Sequence, residues 1–428
     1  MISDIPKIME ERGIDAIVVF GGFGNPDEAS WVYLKQGTSL DSGQIILRRD
    51  GKPIVVASES FSGNAAREVA EKLGGEVFDS DLLYERRKKL LLTEPTTIIA
   101  NAKAEADLLQ ELGIKGRVSF YGATTFENAA PYLHAINSAL KGTGIELFDE
   151  KLLYDSSTIE IARQTKSDSE LTKIKNIGMK AKRVFMDVES LLGVCDIKDG
   201  QLYYEGKPLR INDVKKLVEE TSREFGFDIA SEPPIFSMGR EAAQFHNRGS
   251  PDVILQPGES IIFDFFPRDE REKYWWDQTR TYVVGCIPKE IKKAYEDVLR
   301  IQEEIINSLK PGMLWRDVDY LAHELMEEAG YATLESPVNQ KGFKEGYGHA
   351  IGHGVGLNIH EAPWLRYTWK GDDVLKEGMV FSIEPGVYFP NAKKPYGIRI
   401  EDLVVMTERG AEILVEHPKT LEDAVIQI

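Results

Sequence analysis

The sequence predicts a two-domain protein: a mixed α/β N-terminal domain over residues 1–155, then an α+β domain over 156–428 built from two similar halves. Three observations predict this. A chain of 428 residues is long enough for two cores. Helical and strand-like periodicities alternate through the first third of it. The remainder carries an internal echo, "DVKKLVEETSREFGF" from Asp213 and "DVDYLAHELMEEAGY" from Asp317, which align without gaps as D-V-x-x-L-x-x-E-x-x-x-E-x-G-aromatic.

The N-terminal stretch "MISDIPKIMEERGIDAIVVF" reads as a short amphipathic helix running into a strand, without the basic start and long apolar core of a signal peptide. "DAIVVFGG" and "GQIILRRDGKPIVVAS" read as strands, the second pair turned at Asp50-Gly51. "FGGFGNPDEAS" follows a strand and invites a dinucleotide-loop reading. Gly22 and Gly24 lack a third glycine, however, and Pro26 follows closely, so a plain turn is expected. "GNAAREVAEKLGG" and "NAKAEADLLQELG" are helices, each stopped by glycine. This domain holds one histidine, His134, and no compact acid cluster, which suits packing or assembly. The polar "KLLYDSSTIEIARQTKSDSE" leads into the second domain, where a long helical pattern begins at Glu170. Each echoed helix is preceded by another helical segment and followed by strand-rich sequence, so two helix–helix–sheet halves facing a cleft are expected.

Composition excludes several functions. With 52 basic and 70 acidic residues the net charge is −18, which argues against a nucleic-acid surface. Cys195 and Cys286 are the only cysteines and form no CxxC, so neither a disulfide framework nor a thiolate metal site is expected. No apolar run approaches the roughly 20 residues of a transmembrane helix, and a reducing cytoplasm is the expected compartment.

The chemistry is carried by acids set in apolar strands. "SIIFDFFPRDEREKYWWDQTRTYVVG" puts Asp264 at the end of an Ile-Ile-Phe run and Asp277 at the start of a return strand, with "RDEREK" as the loop between them. In the second half, "GMVFSIEPGVYF" carries Glu384 and "YGIRIEDLVVM" carries Glu401, again on two strands joined by a polar loop. An ionised carboxylate in an apolar strand is costly unless it is paired or binds metal. Arg280 and Arg399 could each pair one acid. Four acids in matching positions of two halves, with histidines between, favour metal instead.

The histidines crowd into "GHAIGHGVGLNIHE". His349 and His353 are four apart, but four surrounding glycines argue against a helix. In extended chain the glycines would let backbone approach a ligand, with His353 and His360 projecting from a bent strand. Their odd spacing points them to opposite faces of a regular strand, so a bulge at the glycines is required if both serve one cleft. One nitrogen and four carboxylates suit two divalent ions such as Mn, Co, Zn or Fe, as in a dinuclear metallohydrolase.

"GHGVGLNIHEAP", "FSIEPGVY" and "GIRIED", with "DFFPRDEREKYWWDQTRT" upstream, resemble the pita-bread metallopeptidases (peptidase family M24), over about residues 160–428. That group contains methionine aminopeptidase, aminopeptidase P and prolidase; an α/β N-terminal domain of this size is similar to those of aminopeptidase P, prolidase and creatinase. The resemblance implies an α+β pita-bread catalytic domain with pseudo-twofold halves. It implies Asp277 and Glu401 as bridging ligands, Asp264 on one ion, and His353 and Glu384 on the other, with manganese or cobalt favoured. His360 and His246 would contact substrate and take part in catalysis. Arg399 would bind substrate or support the Asp277–Glu401 end, with Thr279 as a supporting hydroxyl and His349 without a role. The implied reaction is hydrolysis of the Xaa-Pro bond in short peptides, with Glu384 moving a proton to the leaving prolyl nitrogen. A homodimer is implied, since dimers are common among relatives.

Three departures from the family pattern bear on substrate. Asp264 is followed by Phe265-Phe266-Pro267 rather than by a glycine two residues on, and it stands two residues further than usual from Asp277. Trp364, with Arg366 beyond it, occupies the place where prolidases often carry an arginine. Two other readings compete: hydrolysis of a non-peptide amide on the same site, and a non-catalytic pita-bread binding module.

Overall fold

The computed structural model of the protein describes residues 1–22 and 28–428. Gly24 and Pro26 of the candidate dinucleotide loop lie outside the described residues. The chain divides into two compact units, Met1–Arg163 and Gln164–Ile428. The division falls beyond residue 155 because the next residues are tied to the first unit. Arg12 Nη1 donates to Ser156 O, the Thr158 amide and hydroxyl donate to Glu150, and the Tyr33 hydroxyl donates to Ala162 O.

In the first unit, the β-branched run Ala16–Gly21 forms an inner strand of a six-stranded sheet. The spatial order is Glu76–Asp79, Ile54–Ala57, Gly43–Arg48, Ala16–Gly21, Gly116–Tyr121, Ile145–Leu147. The Asp50-Gly51 hairpin forms as expected, with Gln44 opposite Val56 and Ile46 opposite Ile54. Helix Glu59–Leu73 stops at Gly74, whose φ of 65° a side chain would strain. Helices Thr97–Glu111 and Phe126–Ala139 bring Ala102, Ala106, Leu109 and Ile136 into one core with Val18, Ile46, Val56 and Val118. Each large side chain buried there contributes about 1.5–3 kcal/mol.

The second unit repeats helix, helix, sheet. Helix Asp168–Gly193 opens with a capping box between Ser167 and Glu170. The echoed helices are Ile211–Glu224 and Trp315–Glu328, each beginning two residues before the shared Asp. The glycine of each shared Gly-aromatic pair, Gly226 at φ 70° and Gly330 at φ 87°, turns the chain out of its helix. The first sheet orders Ile235–Met238, Ile261–Phe265, Gln278–Val284 and Val425–Ile426. The second orders Glu361–Leu365, Gly352–Gly354, Val380–Ile383, Asp402–Thr407 and Gly410–Ile413, with the hairpin Gly386–Phe389/Tyr396–Arg399 beside them. Val298, Ile301 and Ile305 of helix Lys289–Ser308 share a core with Phe381, Ile383 and Ile400, directly behind the strand ends that carry the acids. No helix among the described residues is long and apolar enough to cross a membrane.

Candidate metal centre

All five expected ligands, together with His246, His360 and Arg399, line one cavity of about 370 Å³ in the second unit. Asp264 stands on strand Ile261–Phe265, opposite Thr279, and Asp277 immediately precedes strand Gln278–Val284. Trp276 fixes that approach, because its indole lies against Gly178, where any Cβ would come within 2.4 Å of the ring.

The second-half acids do not sit within strands as the alternation suggested. "GMVFSIEPGVYF" is two strands broken at Glu384-Pro385, and "YGIRIEDLVVM" is two strands broken at Ile400-Glu401. At each break the chain leaves one sheet for another, so the backbone is tied elsewhere: Glu384 N donates to Ile351 O and Glu401 N to Thr279 O. Buried Gln302 pins both breaks, its Nε2 donating to Ile383 O (3.0 Å) and Ile400 O (3.2 Å). Nothing in an amphipathic helix pattern marks that glutamine for such a task.

The bulge required by the histidine spacing is present, as a register shift between His353 and Gly354. It brings the rings of His353 and His360 to 4.3 Å. His360 comes from the bend before strand Glu361–Leu365 and not from a strand. The glycines serve close approach to neighbouring backbone rather than to a ligand. A Cβ on Gly352 would stand 2.0 Å from Ser382 O, and one on Gly354 2.2 Å from Ala362 O.

Of the two arginines offered as simple ion-pair partners, Arg280 takes Asp402 (2.7 Å) and Arg399 takes Asp264. Arg399 is buried, and it also donates through Nε to Thr279 and through Nη1 to Phe245 O and the Tyr388 hydroxyl. It therefore braces Asp264 rather than presenting an open fork to substrate. It reaches Glu401 only through Thr279, whose hydroxyl donates to Glu401 Oε2 (2.7 Å). His349 accepts at Nε2 from the Tyr388 hydroxyl (2.9 Å) and donates at Nδ1 to Ala350 O, so it steadies the tyrosine beneath Arg399. Tyr388 itself escapes sequence reading, because only the fold carries it from its strand to Arg399.

No arginine or lysine pairs with Asp277, Glu384 or Glu401 among the described residues, and on each of them burial outweighs the charge of Arg399. Burial raises Asp277, with Glu401, Asp264 and Glu384 adding to the effect. Burial raises Glu401 well above the usual carboxylate range, with Glu384 and Asp264 adding. Burial and the Asp264 charge push Glu384 up to about 8. Asp264 Oδ1, Asp277 Oδ1 and Glu401 Oε1 are buried with no hydrogen-bond partner. Such oxygens call for a cation. Asp277, His353 and Glu401 offer ligand atoms within 4.8 Å of one another. His353 is held neutral, at about 3, by burial. Its Nδ1 lies 3.2 Å from Gly354 O, which directs Nε2 toward Glu384 Oε1 (3.3 Å) and Asp277 Oδ2 (3.6 Å). An oxygen-rich set with one imidazole nitrogen fits hard or borderline divalent ions.

Comparison with known proteins agrees with this chemistry. The profile of metallopeptidase family M24 matches residues 172–408. The chain is similar to Xaa-Pro dipeptidase of Pyrococcus furiosus, 32% identical over 274 residues, covering 62% of this chain and 72% of that one. It is similar to an uncharacterised peptidase of Staphylococcus aureus, 31% identical over 263 residues, covering 61% of this chain and 65% of that one. Among solved structures, Xaa-Pro dipeptidase from Bacillus anthracis superimposes with a TM-score of 0.72 at 24% identity, over 100% of this chain and 99% of that one. The X-Pro aminopeptidase of Thermotoga maritima gives 0.69 at 24%, over 99% and 100%. The protein thus has an α/β N-terminal domain followed in sequence by the pita-bread fold, and the chain belongs to metallopeptidase family M24.

Proposed function

We propose that the protein hydrolyses the Xaa-Pro bond of short peptides and releases the N-terminal residue. The observation that carries this reading is the convergence of Asp264, Asp277, Glu384 and Glu401 with His246, His353 and His360 on one cavity, in a chain similar to an Xaa-Pro dipeptidase. Asp264, Asp277, His353, Glu384 and Glu401 would hold two divalent ions, manganese or cobalt by preference. When bound, these supply Lewis-acid charge and a water nucleophile near neutral pH.

The chain's own residues do the rest. His360 lies at the accessible side of the cavity, and burial holds its pKa below the ordinary histidine value, so near neutral pH it is a neutral N–H donor for the carbonyl oxygen. His246, held down by the same cause, lines the cavity beside Phe245 and would steady substrate. Glu384 would carry the proton to the prolyl nitrogen, which cannot leave as an amide anion. Phe245, Phe266, Ile359, Trp364 and Leu365 give the cavity apolar walls suited to a proline ring and to excluding bulk water.

The test is an assay of manganese- or cobalt-loaded protein on Xaa-Pro dipeptides and Xaa-Pro-Yaa tripeptides. Cleavage of dipeptides alone identifies a dipeptidase and cleavage of tripeptides an aminopeptidase, while cleavage of neither sinks the proposal and favours a non-peptide amide. His360→Phe should retain the metals and lose roughly 100- to 1,000-fold in kcat, the cost of one good oxyanion donor. We further read the protein as a cytoplasmic homodimer. Its two cysteines are free, which suits a reducing compartment, and sedimentation at micromolar concentration checks the dimer.

A further inference from the structure

The first unit contains a cavity of its own, about 1120 Å³ in volume. It runs along one edge of the sheet, where strands Ala16–Gly21, Ile54–Ala57 and Gly116–Tyr121 end and strand Gly43–Arg48 begins. From Ala16–Gly21 the strand order departs first to one side and later, from the parallel strand Gly116–Tyr121, to the other. Such a switch point, at the carboxyl ends of parallel strands, is where open α/β sheets leave a ligand crevice.

The lining is specific. Phe20 and Phe120 stack with ring centres 6.0 Å apart, and Tyr132 stands edge-on to Phe20 at 6.1 Å. Among these rings the buried face of helix Thr97–Glu111 presents an acid, Glu105, only 5% exposed. Its Oε2 accepts from Gln44 Nε2 at 2.6 Å. Its Oε1 and the Gln44 Oε1 are buried and have no hydrogen-bond partner, and both residues belong to the cavity lining. Of the two arginines in the lining, Arg86 pairs with Glu111 at 2.7 Å, and Arg87 donates to Asn101 at 3.3 Å while its charge reaches Glu105 without an ion pair. Burial holds the Glu105 carboxyl up at about 7, against the opposing hydrogen bond from Gln44 and the charge of Arg87. Asp41 and Asp81 at the rim add negative charge. A phosphate would meet two unpaired acceptors at Glu105 and Gln44.

We propose that this cavity binds a small organic cation, with a planar apolar body lying against Phe20 and Phe120. Its amine, amidine or guanidinium head donates to Glu105 Oε1 and Gln44 Oε1. Two unpaired acceptors on hydrogen-bonded neighbours suit a head with two N–H donors, which charge-assisted hydrogen bonds would hold. The metal centre plays no part in this recognition.

The probe is benzamidine, titrated calorimetrically into the full-length metal-loaded protein, with benzoate and benzyl alcohol as controls. Benzamidine should bind saturably, and about tenfold or more tighter than either control. Glu105→Gln should weaken it by about tenfold or more. Ala129→Trp, which fills the cavity while leaving Glu105 in place, should abolish binding. Glu384→Gln, in the other unit, should leave it unchanged. Binding that persists in both Glu105→Gln and Ala129→Trp, in proteins that melt like wild type, overturns the proposal. So does equal binding of benzoate, or absence of benzamidine binding.

Discussion

At the scale of single residues, the buried acids with an unpartnered oxygen among the described residues are of two kinds. Those of the metal centre sit together and call for cations, whereas Glu105 sits alone among aromatic rings. Glu105 has a stability consequence that requires no metal. Its folded-state value of about 7 lies above the usual 4.5, so between these pH values the folded protein binds the proton more tightly than the unfolded chain does. Its contribution is therefore greatest below about 4.5 and is lost as pH rises through 7, a change of about 3 kcal/mol. Glu105→Gln should remove that dependence. Urea unfolding of wild type and variant at pH 5 and pH 8 checks it, and an advantage of the variant that does not grow toward pH 8 would contradict the assignment. A carboxylate kept at such a cost is more readily understood as serving a ligand than as serving the core.

At the scale of elements, the acids of the second half depend on where strands stop. Helix Lys289–Ser308 holds the two breaks through a single amide, Gln302, whose Oε1 in turn accepts from Lys419 Nζ at 2.7 Å. Gln302→Leu would remove the buried amide donor from Ile383 O and Ile400 O, costing about 1–3 kcal/mol for each. Glu384 and Glu401 each follow directly on one of those carbonyl residues, so metal affinity should fall about 10- to 100-fold. Equilibrium dialysis with a manganese or cobalt series measures this, and unchanged affinity in a destabilised variant would show that the amide supports only the core. Strand Gly352–Gly354 illustrates the same dependence, since its glycines are required by neighbouring carbonyls and its bulge sets where His353 points.

At the scale of the whole molecule, the second unit joins two helix–helix–sheet halves through the acids they contribute. Without cations those carboxylates repel one another and are buried, so chelation should lower the melting temperature. Saturating an ion at about 100 times its dissociation constant stabilises by about 2.7 kcal/mol. Removing such binding with EDTA should cost roughly 5–10 °C for a domain of this size, and manganese or cobalt should restore it. Melting curves unaltered by chelation and reloading would argue against the metal centre. The first unit should respond little, because its cavity and its acid are its own.

The sequence by itself determined the two-domain order, the echoed helices and Asp264, Asp277, Glu384 and Glu401 as candidate acids, while the choice of His353 among the clustered histidines came from the resemblance to the pita-bread metallopeptidases. The helices and the acids are written in local pattern: Gly226 and Gly330 end their helices by backbone geometry, and acids in apolar runs stand out by desolvation cost alone. Tertiary structure alone decided which groups pair. It gave Arg399 to Asp264 and Arg280 to Asp402, where sequence offered both to the metal acids. It made His349 a support for Tyr388, put Gln302 behind two strand ends, and turned Glu105 inward. Those outcomes depend on contacts between residues tens to hundreds of positions apart, and no local periodicity encodes such distances.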